Sequence, residues 1–144
     1  MNNKPHMVVV LFLAAVFSLA GCGGGGSSAD GGSTGTGGGD ASFPAKTLRW
    51  APPSAYTDST PLNPFSDLDV FEIYVKTSGS FSAGDTAMAA LQAVDPGSGQ
   101  LNTSFNLANL GPYLSRGVTY FVSIRAVAKN NLKSDFSTPT SFSF

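Results

Sequence analysis

The sequence predicts an all-β sandwich of about six to seven antiparallel strands over residues 41–144, and three segments carry the prediction. In each of them an apolar side chain recurs at every second position: Thr47 to Trp50, Asp69 to Thr77 and Val118 to Lys129. Such alternation is typical of strands that bury one face. Proline, glycine, asparagine and aspartate separate the segments, which favours strands joined by turns over a parallel sheet.

Three further segments complete the predicted sheets with weaker patterns: Ala87 to Val94, Leu101 to Leu107, and a terminal strand near Thr138 to Phe144. The first is rich in alanine, so a short helix is the alternative to a strand there. The stretch before Thr47 offers only Ala-Ser-Phe-Pro-Ala-Lys. We therefore expect the edge strand at that position to be short, irregular or missing.

Two stretches, taken together and in this order, resemble a fibronectin type III domain. The first begins at Leu48 and contains Leu-x-Trp, a Pro-Pro turn, an Asp-containing loop and Phe-x-Ile-Tyr. The second begins at Leu114 and contains Leu-x-x-Gly-x-x-Tyr, an alternating strand and Ser-x-Phe-Ser. The resemblance covers about Thr47 to Ser137 and implies an immunoglobulin-like sandwich for the 41–144 domain.

The resemblance also implies roles for individual residues. Trp50 is expected to pack between the sheets, inside a core formed by Leu48, Phe71, Ile73, Val122 and Ile124. Tyr120 is expected to be the tyrosine-corner residue, with its hydroxyl bonded to backbone near Leu114 to Arg116. Asn130-Asn131 replaces the glycine usual between the last two strands, and asparagine also accepts a positive φ.

Residues 1–21 are predicted to be a lipoprotein signal peptide. Lys4 supplies a positive start, and the apolar run from Met7 to Ala20 has 14 residues. A membrane-spanning helix needs roughly 20. The closing Leu19-Ala20-Gly21-Cys22 resembles the lipobox of bacterial lipoproteins. This resemblance implies cleavage between Gly21 and Cys22 and attachment of acyl chains to the Cys22 sulfur.

Residues 22–40 are predicted to be the lipidated cysteine and a flexible, disordered linker. Ten of the 18 residues from Gly23 to Asp40 are glycine, and the others are serine, threonine, alanine and aspartate. Such a stretch cannot bury enough apolar surface to offset its backbone entropy. A phosphate-binding loop is excluded because no Gly-Lys-Ser or Gly-Lys-Thr follows it.

The predicted location is the bacterial cell envelope, where acyl chains on Cys22 make the membrane the first partner. The lipoprotein resemblance favours the outer membrane in a host with two membranes, because Gly23 is not the aspartate that retains such proteins on the inner one. A nucleic-acid partner is not expected, since only 12% of the residues are charged and the formal net charge is −1.

The residues available for chemistry argue against an enzyme, and no cofactor or metal is predicted. The only histidine is His6, inside the predicted signal peptide, and the only cysteine is Cys22. Catalytic triads and most transition-metal sites need one or both residue types. Four carboxylates near one another could serve glycoside hydrolysis or calcium binding, namely Asp58, Asp67, Asp69 and Glu72. They lack the spacing of a calcium loop, and for Asp58, Asp67 and Asp69 solvated turn residues are the ordinary interpretation.

The sequence therefore predicts a noncatalytic, membrane-anchored lipoprotein that displays one binding or adhesion module to a protein or glycan ligand. Three aromatic residues in predicted loops are the candidate contacts: Tyr56, Phe65 and Tyr113. The alternative for these rings is that they cover the ends of the sandwich. The competing function is a structural spacer or assembly subunit that uses its sheet edges.

Overall fold

A computed structural model describes residues 43–144, so the predicted signal peptide and linker, with Gly21 and Cys22, lie outside the described residues. The described chain is mostly β and forms two antiparallel sheets. Its strands are β1 (Thr47–Arg49), β2 (Leu68–Lys76), β3 (Ala89–Gln92), β4 (Ser104–Asn106), β5 (Tyr120–Ala128) and β6 (Thr140–Phe142). Two short helices accompany them, α1 (Pro64–Asp67) and a 3-10 helix (Leu107–Tyr113).

The larger sheet has the strand order β3-β2-β5-β6, and β1 pairs with β4 in the smaller one. The central pair, β2 and β5, has nine residues in each strand. Phe71 lies opposite Ala126, and Ile73 lies opposite Ile124. Both pairs come from the apolar faces of their strands, so this register turns one face of the sheet toward the core.

The core lies between the two sheets. Phe71 and Ile73 have no exposed surface, and Leu48, Val122 and Ile124 are also buried. The Trp50 ring is 4% exposed and meets the Phe71 ring edge to face, with the centroids 5.2 Å apart. Trp50 Nε1 has no hydrogen-bond partner among the described residues, so this ring is held by packing.

Both short helices are capped at their start by an asparagine, which the alternating apolar pattern of the strands does not predict. The Asn63 side chain accepts a hydrogen bond from the Phe65 N–H at 3.1 Å, and Pro64 follows as the first helical residue. The Asn106 side chain accepts from the Ala108 N–H at 3.1 Å. The predicted strand Leu101 to Leu107 is therefore shortened to β4. By contrast, the alanine-rich segment forms the strand β3 and no helix.

The described residues ahead of β1, from Phe43 to Lys46, form no strand. Lys46 O accepts a hydrogen bond from Leu107 N at 2.8 Å, and Trp50 N donates to Thr103 O at 3.0 Å. Backbone groups alternate in direction along a strand, so those of Thr47 and Arg49 point away from β4. Within residues 43–144 no strand pairs with this outer edge of β1.

Two buried serines, Ser134 and Ser137, precede β6 in the chain and continue the edge of the larger sheet along β5. Ser137 Oγ accepts a hydrogen bond from the Ile124 N–H at 3.0 Å, and Ser134 Oγ accepts from the Ala126 N–H at 2.9 Å. These hydroxyls take the place of strand carbonyls along β5. The edge is consequently irregular, which makes it a poor template for a further strand.

Candidate functional site

The described chain begins at one end of the sandwich, which we name the proximal end. The Phe43 ring packs against the Phe144 ring at a tilt of 51°, with the centroids 4.5 Å apart. The Arg116 guanidinium lies 4.8 Å from the Phe43 ring centroid. A Cβ on residue 111 would lie 2.5 Å from the Phe43 ring, so glycine at position 111 leaves the space that this ring occupies. These contacts fix where the preceding chain reaches the domain.

The opposite end, which we name the distal end, joins the start of β2 to the ends of β5 and β3. Lys129 N donates to Asp67 O at 2.9 Å, and Ala93 N donates to Asp69 O at 2.8 Å. The loop from residue 51 to residue 67 and the 129–132 turn belong to this end. Strands of nine residues, such as β2 and β5, separate the two ends by roughly 30 Å.

The three candidate aromatic residues do not form one patch. Tyr56 is partly buried and packs against the core at the distal end. Phe65 is 52% exposed in α1, also at the distal end, whereas Tyr113 is 71% exposed in the 3-10 helix at the proximal end. Phe65 and Tyr113 therefore cannot contact one small ligand together.

A small cavity lies beside Tyr56, with a volume of about 10 Å³. Leu62, Leu68 and Ala128 are among its lining residues. The volume corresponds to about one water molecule. This cavity is therefore too small for a sugar ring or a large side chain of a partner.

The aspartates of the distal end stabilise turns. The Asp58 carboxylate accepts from the Thr60 N–H at 2.9 Å, and this hydrogen bonding lowers the pKa of Asp58. Asp67 accepts from the Asn63 N–H at 2.8 Å. Partial burial, together with the charges of Asp67 and Asp58, raises the pKa of Tyr56. Among residues 43–144 there is no cluster of three side chains suited to hold a metal ion.

The loop ahead of β5 is fixed at the proximal end. The Tyr120 hydroxyl accepts a hydrogen bond from the Ser115 N–H at 2.9 Å. Gly117 has a φ of +74°, a value that favours glycine, and its N–H donates to Phe144 O at 2.9 Å. Tyr113 and Arg116 therefore lie on a segment that is hydrogen-bonded both to Tyr120 of β5 and to Phe144, which follows β6.

The outer face of the larger sheet carries an aromatic cluster that the sequence analysis missed. Tyr74 is only 3% exposed although it lies on this outer face. Phe136 covers it edge to face at 4.9 Å, and the Arg125 guanidinium lies 4.7 Å from the Phe136 ring. The only sequence signal was the Ser-x-Phe-Ser motif, which gives no indication of what the phenylalanine contacts.

Glu72 connects this cluster to an ion pair. It accepts a hydrogen bond from the Tyr74 hydroxyl and pairs with Lys133 at 2.7 Å. Partial burial works against the charged form of Glu72, but the bonds from Lys133 and Tyr74 outweigh it, so the pKa of Glu72 is lowered. Glu72 therefore stabilises the outer face of the larger sheet. It does not act together with the aspartates of the distal end.

Tyr74 should make the domain less stable as the pH rises into the alkaline range. Burial, followed by the hydrogen bond to Glu72, raises the pKa of Tyr74 from 10.0 to about 12. A raised folded-state pKa contributes stability that is present below pH 10 and lost as the pH rises through 12. We expect Tyr74→Phe to remove this loss, which urea unfolding followed by Trp50 fluorescence at pH 8, 10 and 11.5 measures.

The exposed Tyr113→Phe is the matched control and should leave the alkaline slope unchanged. Tyr74→Phe should also lower stability at pH 8 by about 1 kcal/mol, because it removes the bond to Glu72. An alkaline slope that is the same in Tyr74→Phe and in the parent protein would show that Tyr74 does not cause it.

Within residues 43–144 no helix has the length and apolar character needed to cross a membrane. In the comparisons with known proteins, no family model, no curated protein and no solved structure matches this chain.

Proposed function

We propose that this protein is a noncatalytic lipoprotein of the bacterial cell envelope that presents a fibronectin type III-like binding or adhesion module. Acyl chains on Cys22 hold it to a membrane, residues 22–40 form a tether, and the 41–144 domain meets a protein or glycan ligand. One observation carries the proposal: the described chain begins at the proximal end, and the exposed Phe65 lies at the distal end.

The strand order supports an immunoglobulin-like domain of this kind. In such sandwiches the strands named G, F, C and C′ are neighbours in one sheet, and B and E are neighbours in the other. The order β6-β5-β2-β3 and the pair β1-β4 reproduce these neighbours if β1 is strand B. Strand A would then be the strand that the described residues ahead of β1, 43–46, do not form. The bond between Tyr120 and Ser115 also agrees with a tyrosine corner.

The distal surface suits a binding role because its shape is fixed before any ligand arrives. The Asp67 carboxylate accepts from the Asn63 N–H and the Asn63 side chain accepts from the Phe65 N–H, which holds the backbone of Phe65 in place. A preorganised contact loses less conformational entropy on binding. An exposed ring in such a position offers stacking to a sugar face and packing to a protein side chain.

The lipid anchor follows from the lipobox resemblance. Two or three acyl chains hold a protein firmly, since each buried methylene contributes about 0.8 kcal/mol and a single chain binds only marginally. Treated as a glycine-rich coil, the 18 residues from Gly23 to Asp40 span about 23 Å. In a host with two membranes the outer membrane is the favoured address, and no nucleic-acid partner is proposed.

A second function is favoured by the outer edge of β1. The backbone groups of Thr47 and Arg49 face away from β4, and no described strand pairs with them. A strand from another envelope protein could add there by β-augmentation. The protein would then be a spacer or assembly subunit, with its contacts at the sheet edge.

Site-specific photo-crosslinking in living cells distinguishes the two functions. A benzophenone amino acid is placed at Phe65 on the distal surface, at Thr47 on the β1 edge, or at the exposed Ala90 of β3 as the control. The binding function predicts a discrete crosslinked species from position 65 alone. A species from position 47 alone supports the assembly function, and equal labelling from all three positions contradicts both.

A further inference from the structure

The proximal end brings an exposed aromatic side chain together with two basic ones. Tyr113 is 71% exposed. The Arg116 guanidinium lies 4.8 Å from the Phe43 ring centroid, and Lys46 Nζ lies 5.8 Å from the Phe144 ring centroid. Because the Phe43 and Phe144 rings pack against each other, both cations belong to one surface. We name Tyr113, Arg116 and Lys46 the proximal patch.

Side-chain charge is distributed unequally between the two ends. The distal end carries four aspartates, Asp58, Asp67, Asp69 and Asp95, and its basic residues are Lys129, Arg49 at the end of β1 and Lys133 after the 129–132 turn. At the proximal end Asp85 is paired with Lys76 at 2.9 Å. Lys46 and Arg116 lie at this end as well. Basic side chains therefore outnumber acidic ones where the chain enters the domain, and aspartates outnumber basic side chains at the opposite end.

An exposed tyrosine flanked by basic side chains has the chemistry of a membrane-interface contact. A tyrosine ring is apolar at its body and polar at its hydroxyl, and tyrosine is enriched at the level of lipid headgroups. Lysine and arginine near a membrane surface are attracted by anionic lipids. The aspartates of the distal end are repelled by the same lipids, so the charge distribution favours one orientation.

The proposed tether makes even a weak contact with the membrane significant. Phe43 follows Cys22 by 21 residues, and a glycine-rich coil of that length spans about 25 Å. A short flexible linker keeps its ends at an effective concentration on the order of millimolar. The proximal end is the part of the domain closest to the anchor along the chain, so the tether keeps the proximal patch within reach of the lipid.

We infer that the proximal patch docks on anionic phospholipid headgroups of the membrane that holds the Cys22 anchor, with the distal end directed away from that membrane. The inference rests on the proposed function, because the anchor brings the domain to the lipid. It deepens that function by giving the domain one orientation, in which Phe65 is the ring presented to a ligand.

Fluorescence quenching by brominated lipids tests the orientation. Tyr113→Trp and Phe65→Trp place a reporter at each end, and the parent protein with only the buried Trp50 gives the baseline. The membrane-extracted proteins are reconstituted in vesicles of brominated phosphatidylcholine and phosphatidylglycerol. We expect quenching of the Tyr113→Trp reporter to exceed that of Phe65→Trp roughly threefold or more, and to decrease at high salt or with Lys46→Gln and Arg116→Gln.

Equal quenching of the two reporters would overturn the inference, as would stronger quenching of Phe65→Trp. A contrast between the reporters that persists in vesicles of phosphatidylcholine alone would overturn the anionic part of it. Flotation of the protein with the vesicles reports the anchor separately. If the extracted protein carries no lipid and does not float, the unlipidated chain is coupled through its only cysteine, Cys22, to a maleimide lipid. The same quenching comparison then tests docking independently of the proposed lipidation.

Discussion

Replacement of Phe71 by alanine should lower the free energy of unfolding by about 3–5 kcal/mol, the largest loss that we expect from one substitution in the domain. Phe71 has no exposed surface, and its ring meets Trp50 between the two sheets. The substitution removes the ring from the core and leaves a cavity that the paired strands β2 and β5 cannot close. Single domains are stable by only about 5–15 kcal/mol, so this loss is a large fraction of the total.

Urea unfolding followed by Trp50 fluorescence measures this loss, since Trp50 is the only tryptophan and is 4% exposed. Phe65→Ala is the matched control, because the same ring is removed from a position that is 52% exposed. The control should change stability by less than about 0.5 kcal/mol. Equal losses in the two variants would contradict the placement of Phe71 in the core.

Replacement of Cys22 by alanine should abolish the mature protein. The sulfur is the atom to which the lipobox resemblance assigns the acyl chains, and alanine offers no nucleophile in its place. We expect the variant to keep residues 1–21 and to accumulate as an unlipidated precursor. Detergent phase partition and gel mobility measure both effects, with Ser28→Ala in the linker as the control. Unchanged mobility and partition in Cys22→Ala would exclude this cysteine as the attachment site.

The central strands could be predicted from the sequence because their environment repeats at every second residue. Phe71, Ile73, Val122 and Ile124 face one core, so the alternation alone indicates their direction. The same alternation places Tyr74 on the outer face but does not predict that it is buried. That burial depends on Phe136, which is distant along the chain and is brought to Tyr74 by the segment that follows β5.

The short helices and the positions of the loop aromatics could be predicted less well. The four residues of α1 are too few for a periodic pattern, and only the Asn63-Pro64 pair marks its start. Sequence alone placed Phe65 and Tyr113 in loops. Their separation to opposite ends follows from strand direction and from the contact of Phe43 with Gly111 and Phe144, which are distant in sequence.

The intact mass of the protein extracted from its native membrane tests the central claim most directly. A chain that begins at Cys22 and carries the additional mass of two or three acyl chains is the result that we predict. Such a mass would establish the anchor on which both the presentation of Phe65 and the docking of the proximal patch depend. A chain that retains Met1, or one that begins at Cys22 without added mass, would contradict the account of a lipid-anchored module.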